Sequence, residues 1–375
     1  MKVLLLITKG ETGGAQTHVL ELSRALAGQV QYQIAIGGNE DGSALKTCMT
    51  ALGVPIHQLP QLGNSLSPLR LWVAVYALLR LLRQVRPDVI HAHSAVAGVV
   101  ARIAGRMAGV PVVYTVHGFG FKPEVPRLQR QAAWLAEYAL ARFTSHMICV
   151  SEHESRLARQ LPLPHERLSV IPNAVPDTPE RAQPALEPPR IVMVARLASP
   201  KRPDLLLRAL SGLRDRLGYE LQATLIGSGP DLAKHRALAG QLNLGAVDFT
   251  GDVTDVPRRL AQHEIFVLIS DHEGLPISII EAMRAGLAIV ASDLPGIREL
   301  IGHDQTGLLV PNQVNALVDA LAGMVSSAPL RSRLGNSARL CYQEKFTPDK
   351  MAAPVAAIYS LLAHAHSTSQ NTGSH

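Results

Sequence analysis

Aromatic residues are scarce in this chain, at 4% of 375 positions. They do not alternate with basic residues in a recognisable pattern, which disfavours stacking-type recognition of nucleic acid. Cysteine is scarcer still. Cys48, Cys149 and Cys341 stand far apart, fit neither a zinc knuckle nor a disulfide framework, and read as thiols in a reducing compartment. The cytosol is the expected location. No apolar stretch reaches the ~18 residues of a membrane span without a charge; the greasiest tract, 69–82, contains Arg70 and Arg80. The opening MKVLLLITKGETGG has five apolar residues in a row before Thr8, too few for a secretory signal, and reads as a first strand. Asp-x-Asp is missing, and no His or Cys cluster has metal-ligand spacing. Neither a divalent metal nor a cofactor is therefore expected.

Acidic residues are short in the first half only. Residues 1–177 hold 17 Lys and Arg against 11 Asp and Glu, which accounts for the whole net charge of +6. A basic half beside a neutral one favours an acidic partner, either an anionic lipid surface or a phosphorylated substrate.

What is present is a folded α/β pattern. The chain is 47% hydrophobic with 29 Gly and 25 Pro, and its length suits two domains. Short β-branched or Leu-rich runs alternate with helical periodicity, the signature of parallel sheets flanked by helices. Strands are expected near 2–8, 31–37, 88–91, 111–116, 146–150 and 168–171. PDTPERAQPALEPP, 176–189, has five prolines and no periodicity, so it reads as a connector. After it the alternation restarts with RIVMVARL, LQATLIG, EIFVLIS and LAIVAS. The expected organisation is a first Rossmann-like domain at 1–175, a linker at 176–189 and a second Rossmann-like domain at 190–345. A helix at 346–363 would cross back to the first domain, and 364–375 would form a flexible tail. Two doubly wound lobes of this kind place ligands in a cleft at the carboxyl ends of their strands.

Three elements carry chemistry. Gly13 and Gly14 follow the first strand and open a helix, where glycine lets backbone approach a phosphate at the positive end of the helix dipole; a tight turn would need them equally. Arg196 and Lys201 in VARLASPKRPD sit between a strand and a helix that Pro203 can start, which suits a diphosphate or a solvated loop. In EGLPISIIEAMRAG, Glu273 lies just past a strand, with Gly274, Leu275 and Pro276 leading into a helix that carries Glu281. Ser278 and Glu281 also have capping-box spacing, but Pro276 argues for an earlier helix start.

GGAQTHV, YTVHGFGF, ICVSEHE, VIPNAV, VARLASPKRPD, LIGSGP, GDVTDV, EGLPISIIEAMRAGLAIVASDLPGIREL and GLLV, in this order, together resemble the retaining glycosyltransferases of family 4, which have the two-lobed GT-B fold. The resemblance runs from the first strand to about residue 310. It implies that Arg196 and Lys201 hold the donor diphosphate, that Glu281 accepts from the ribose hydroxyls, and that Glu273 contacts the transferred sugar. It further implies that Gly14, beside Gly13, meets the donor from the first lobe, that His117 lies against the donor sugar, that Gly227 and Gly229 line the nucleotide pocket, and that backbone near Val253 meets the base. A strand-end histidine would explain His117 without any role, and Gln16 is given none. The implied reaction moves a sugar from a UDP-sugar, or secondarily a GDP-sugar, to a glycan or polyprenyl-linked acceptor of bacterial surface polysaccharide.

A nucleotide-sugar epimerase shares the two-lobed fold and is the alternative. A dinucleotide-dependent oxidoreductase would need a stricter glycine spacing and an acidic residue ending the second strand; Glu40 and Asp41 lie past that end. A non-catalytic scaffold has no use for Arg196, Lys201, Glu273 and Glu281 together. In 67–87, Leu71, Val75, Leu78, Leu82 and Val85 fall on one helical face. Trp72, Tyr76, Arg80 and Arg83 fall on the other, with no acidic residue in the segment. Such a face is expected to dock on the inner surface of the cytoplasmic membrane; packing under a neighbouring loop would explain it equally.

Overall fold

The computed structural model describes residues 1–11, 13–38, 43–63, 67–121 and 125–372, with side chains through 368. Glu40 and Asp41 lie outside the described residues. The chain divides into two compact units, Met1–Ala174 with Pro348–His375, and Val175–Thr347.

Among the described residues, the first unit has seven strands: β1 (Lys2–Ile7), β2 (Gln31–Gly37), β3 (Ile56–Leu59), β4 (Val89–Ala92), β5 (Val112–Val116), β6 (His146–Cys149) and β7 (Leu168–Val170). They pair in parallel in the order β3-β2-β1-β4-β5-β6-β7. Both faces are covered, which is why VLLLI within β1 is a continuous apolar run. Leu4 and Leu6 point into the core shared with α3 (Pro68–Val85), α4 (Ala95–Ala108), α5 (Arg127–Ala141) and α6 (Glu152–Ala158). Val3, Leu5 and Ile7 point into the opposite core with α1 (Gly14–Ala25), α2 (Ala44–Ala51) and α14 (Pro348–Thr372). The C-terminal helix α14 joins this layer because Met351, Val355, Ile358 and Tyr359 recur at helical spacing and are buried there. Its helix continues to Thr372, through much of the tail expected to be mobile from 364. Ser367 Oγ and Thr368 Oγ1 donate to the His364 carbonyl at 2.9 and 2.7 Å, within the turn.

The second unit has β8 (Ile191–Val194), β9 (Ala223–Ile226), β10 (Val247–Gly251), β11 (Ile265–Leu268), β12 (Ala288–Ser292) and β13 (Leu308–Val310), parallel in the order β10-β9-β8-β11-β12-β13. Helices α7 (Pro203–Leu217), α8 (Leu232–Gln241), α9 (Val256–Ala261), α10 (Ile277–Ala285), α11 (Pro295–Arg298), α12 (Val314–Ser326) and α13 (Ala328–Lys345) connect and flank them. In each unit the strand order reverses once, between β1 and β4 and between β8 and β11, the crevice where doubly wound sheets take ligands.

Three strands escape the sequence reading: β3, β10 and β13. All three are sheet edges: IHQL and VDFTG interleave polar residues, and LLV is only three residues long. The segment expected as a linker, 176–189, belongs to the second unit and is held there by a buried arginine. Arg331 donates from Nε to the Pro184 carbonyl at 2.6 Å, and from Nη2 to the Leu186 carbonyl at 3.0 Å and to Glu187 at 2.6 Å. Prolines make this segment extended without detaching it.

Candidate functional site

In the second unit, the loops that leave β10, β9, β8 and β11 lie side by side because those strands are neighbours in the sheet. They carry Val253, then Gly227 and Gly229, then Arg196 and Lys201, then Glu273 to Glu281. Lys201 Nζ donates to Glu273 Oε1, with side chains only 17% and 10% exposed. This ion pair crosses the crevice between β8 and β11, and backbone bridging of Lys201 to Ser270 aligns it.

The two glycines act through backbone packing. A Cβ at Gly227, whose φ is +126°, would sit 2.1 Å from the Ala195 carbonyl, and one at Gly229 would sit 2.4 Å from the Leu197 carbonyl. The β9–α8 turn is thus pressed against the residues on either side of Arg196, an approach only glycine permits. Leu197 N–H donates to the Ser228 carbonyl at 2.9 Å. Ser228 in turn donates from N–H and Oγ to the Asp252 carboxylate at 3.0 and 2.5 Å, which places the loop of Val253. Arg196 is exposed, and Val253 and Glu281 are partly exposed.

Several residues that build the Glu273 loop were not apparent in the sequence. Ser270 N–H donates to Ser292 Oγ at 2.9 Å, Ser292 Oγ donates to Asn312 Oδ1 at 2.6 Å, and Asn312 Nδ2 donates to the Ser270 carbonyl at 2.8 Å. A Cβ at Gly296 would lie 1.8 Å from the Gly274 carbonyl, so Gly296 supports the backbone of Glu273 and Gly274 from below. The recurrent polar and glycine positions at strand ends were the only signal. Pro276 caps α10, and the first helical residue is Ile277. This is one position later than expected for Pro276, because its ψ of 119° is extended. Ser278 is inside the helix, and no side chain caps α10, so the capping-box reading of Ser278 and Glu281 does not hold.

In the first unit, Gly13 caps α1 and Gly14 begins it. A Cβ at Gly14 would meet nothing within 4 Å, so nothing within this unit demands a glycine there. Gln16 has a local job after all: its Nε2 donates to the Lys9 carbonyl at 3.0 Å and ties down the turn. His117 stands just past β5, partly exposed, among other histidines. The fold brings His18, His93 and His117 within 4.8 Å of one another through one ring nitrogen each, although their sequence spacing suggests no cluster. Burial draws the imidazole pKa of His18 down to about 4 and those of His91, His93 and His117 well below the ordinary value. All four are neutral near pH 7.

On α3, Val75, Leu78, Leu82 and Val85 are buried and Leu71 is partly so, while Trp72 and Tyr76 are 60% and 62% exposed beside exposed Arg80 and Arg83. In the same helical layer α5 exposes Leu128, Leu135 and Tyr138. Beside it is a cavity of about 530 Å³ lined by Phe121, Arg130, Gln131, Trp134, Leu135 and Leu157. Among the described residues no helix is long and apolar enough to cross a membrane.

Comparison with known proteins places these features in a family. Residues 12–179 match the model of Glycosyltransferase Family 4, and residues 176–340 match that of glycosyl transferases group 1. A GDP-mannose-dependent alpha-mannosyltransferase of Mycobacterium tuberculosis is 30% identical over 76% of this chain and 79% of its own length. The O-antigen biosynthesis glycosyltransferase WbnH of Escherichia coli is 29% identical over 82% and 85%. A UDP-Gal:alpha-D-GlcNAc-diphosphoundecaprenol alpha-1,3-galactosyltransferase of Escherichia coli is 28% identical over 70% and 73%. Among solved structures, HepE of Anabaena in complex with UDP and glucose superimposes with a TM-score of 0.81 at 22% identity, covering 96% of this chain and 99% of its own.

Proposed function

Because the chain belongs to family 4 of the glycosyltransferases and has their GT-B fold, we propose that it is a retaining enzyme moving a hexose from a UDP-sugar to a polyprenyl-linked acceptor in bacterial surface-polysaccharide synthesis. The observation that carries this reading is the Lys201–Glu273 pair at the crevice between β8 and β11, with Arg196 on the same loop as Lys201 and the N-terminus of α10 following the Glu273 loop. A relative acting on a diphosphoundecaprenol substrate with UDP-Gal supports the donor and acceptor classes.

On this reading the bond between the sugar C1 and the β-phosphate oxygen breaks. The acceptor hydroxyl oxygen bonds to C1 on the face the phosphate leaves, and its proton passes to a departing phosphate oxygen. Negative charge grows on the diphosphate and positive charge on the sugar. Arg196 offers a guanidinium fork and Lys201 a point charge to the diphosphate, and the N–H groups opening α10 add donors already oriented. Glu273, held by Lys201, faces the sugar; Glu281 accepts from the ribose hydroxyls; backbone at Val253 meets the base. The family resemblance gives His117 of the first unit a contact to a sugar and Gly14 the room for one. Two cations stand where a carboxylate-bound metal would otherwise draw off the leaving group, so turnover in excess EDTA equals turnover in Mg²⁺.

The acceptor side is the α3 to α6 layer. Trp72 and Tyr76 suit the headgroup level of a bilayer, Arg80 and Arg83 suit its anionic surface, and the apolar cavity beside α5 suits an isoprenoid chain. The test is a thermal-shift panel of UDP, GDP, ADP and their sugars, followed by turnover with a polyprenyl-diphosphate sugar. Stabilisation by UDP and its sugars with transfer to the lipid is expected. Stabilisation by GDP alone would change the donor, and release of UDP with a 2-epimer and no acceptor would make the protein an epimerase.

A further inference from the structure

We propose that His18, His93 and His117 form a binding site for one divalent transition-metal ion of the zinc type, at the carboxyl ends of β1, β4 and β5. The three ring nitrogens lie within 4.8 Å of one another, and the set contains no carboxylate, which favours zinc, cobalt, nickel or copper over magnesium or calcium.

The hydrogen bonds around the cluster argue for a missing electrophile. His18 is buried on α1, and its Nδ1 lies 2.9 Å from Asn173 Oδ1. The carboxamide oxygen can only accept, so Nδ1 carries the proton and Nε2 presents its lone pair. That Nε2 is buried and has no hydrogen-bond partner. His93 is fully buried and faces His117 through Nδ1, so its proton belongs on Nε2, a buried N–H with no acceptor, and Nδ1 presents the lone pair. Its Nδ1 stands 3.5 Å from His117 Nε2, too long for a good hydrogen bond. It is close to the roughly 3.3 Å edge of a tetrahedron whose zinc–nitrogen bonds are about 2.0–2.1 Å.

His91 supplies the contrast within the same crevice. Its Nδ1 meets Tyr359 Oη at 2.5 Å and its Nε2 meets Thr115 Oγ1 at 2.7 Å, so this buried histidine is satisfied on both sides by protein. Leaving buried polar nitrogens unpaired is costly, and the neighbours of His91 show that this sheet can pair them where pairing is all that is needed. Burial also keeps the three rings neutral near pH 7, the form that ligates. The Asn173 bond to His18 is the outer contact that fixes a metal-binding tautomer. Three imidazoles leave a fourth position for water, on the side where His117 is partly exposed.

The ion and a donor sugar would compete for the His117 ring, so zinc inhibits an enzyme that turns over without metal. This consequence rests on the role given to His117 above; the site itself does not.

The experiment titrates Co²⁺ into the EDTA-stripped, untagged full chain. One ion per chain is expected, with the strong visible absorption of tetrahedral cobalt, displaced by Zn²⁺ and not by Mg²⁺. His117→Ala and His93→Gln should each weaken binding by at least ~100-fold, and Asn173→Ala by roughly 10-fold, the usual effect of losing an orienting partner. Melting temperatures show which variants are folded, and His117→Ala, at the exposed edge, keeps the test open if His93→Gln does not fold. Absence of binding, a weak octahedral spectrum, or affinity unchanged in His117→Ala and Asn173→Ala would overturn the site. Tight tetrahedral binding that leaves turnover unaffected would uphold the site and overturn the role of His117.

Discussion

Lys201 and Glu273 are 72 positions apart in sequence and in contact across the second unit. A lysine so placed neutralises the carboxylate in a mostly buried setting and keeps it from turning away from the crevice. Around this pair the proposed donor contacts are charge-assisted, each worth ~1.5–3 kcal/mol. Arg196→Ala and Glu281→Gln should therefore each weaken UDP binding by roughly 10- to 100-fold with no change in melting temperature. Unchanged affinity in both variants, measured by calorimetry, would remove them from the pocket. Gly227→Ala tests the scaffold beneath Arg196. Its Cβ would overlap the Ala195 carbonyl at 2.1 Å from a left-handed backbone, a strain of about 1–3 kcal/mol that displaces the loop. The variant should melt lower and bind UDP more weakly. Gly14→Ala, with nothing within 4 Å of its Cβ, should melt at the wild-type temperature. Equal melting of the two would refute this packing argument.

At the scale of elements, α3 shows how one helix serves two environments. Its inner residues complete the core against α4 and the sheet, while its outer face combines exposed aromatics with arginines. The α5 helix repeats the theme over a sounder anchor. Buried Arg102 on α4 pairs with Glu137 through bonds of 2.7 and 3.1 Å, so the acidic residue of α5 is turned inward and its exposed side keeps Leu128, Leu135 and Tyr138. Arg80→Glu/Arg83→Glu should lower partitioning onto anionic vesicles at least ~30-fold, since each basic residue at such a surface contributes ~1 kcal/mol. Co-sedimentation across graded anionic lipid content measures it; equal binding by both proteins would exclude the α3 face.

At the scale of the whole molecule, the buried histidines make stability depend on acid. The native pKa of His18 is about 4, against 6.5 for an unperturbed imidazole. Between these values the unfolded chain holds more protons than the native one, so stability rises with pH through that window. The contribution is complete above pH 6.5 and is lost as pH falls towards 4; for His18 alone it is about 3 kcal/mol. His91, His93 and His117 shift in the same direction. The thermal midpoint should fall clearly between pH 7 and pH 5, with a shallower fall in His18→Gln. A midpoint flat over that range would contradict neutral burial of the cluster.

The sequence by itself determined the two α/β units, their central strands and the strand-end positions of Arg196, Lys201 and Glu273. These follow from local periodicity: continuous apolar runs mark strands covered on both faces, and Gly and Pro mark the turns where helices begin. Tertiary structure decided what stands beside what. Parallel strands are neighbours through crossovers rather than through sequence order, so β8 lies beside β11 and Lys201 reaches Glu273. The same rule brings His93 after β4 and His117 after β5 against His18 on α1, although no ligand spacing joins them in the chain. It also left β3, β10 and β13 at the edges, with too little buried surface to imprint a pattern on their residues. The proline-rich stretch 176–189 was legible as extended backbone, but its place in the second unit was not. The guanidinium of Arg331 holds it there from 144 to 147 positions further along the chain, and a contact between residues so distant leaves no trace in either local pattern.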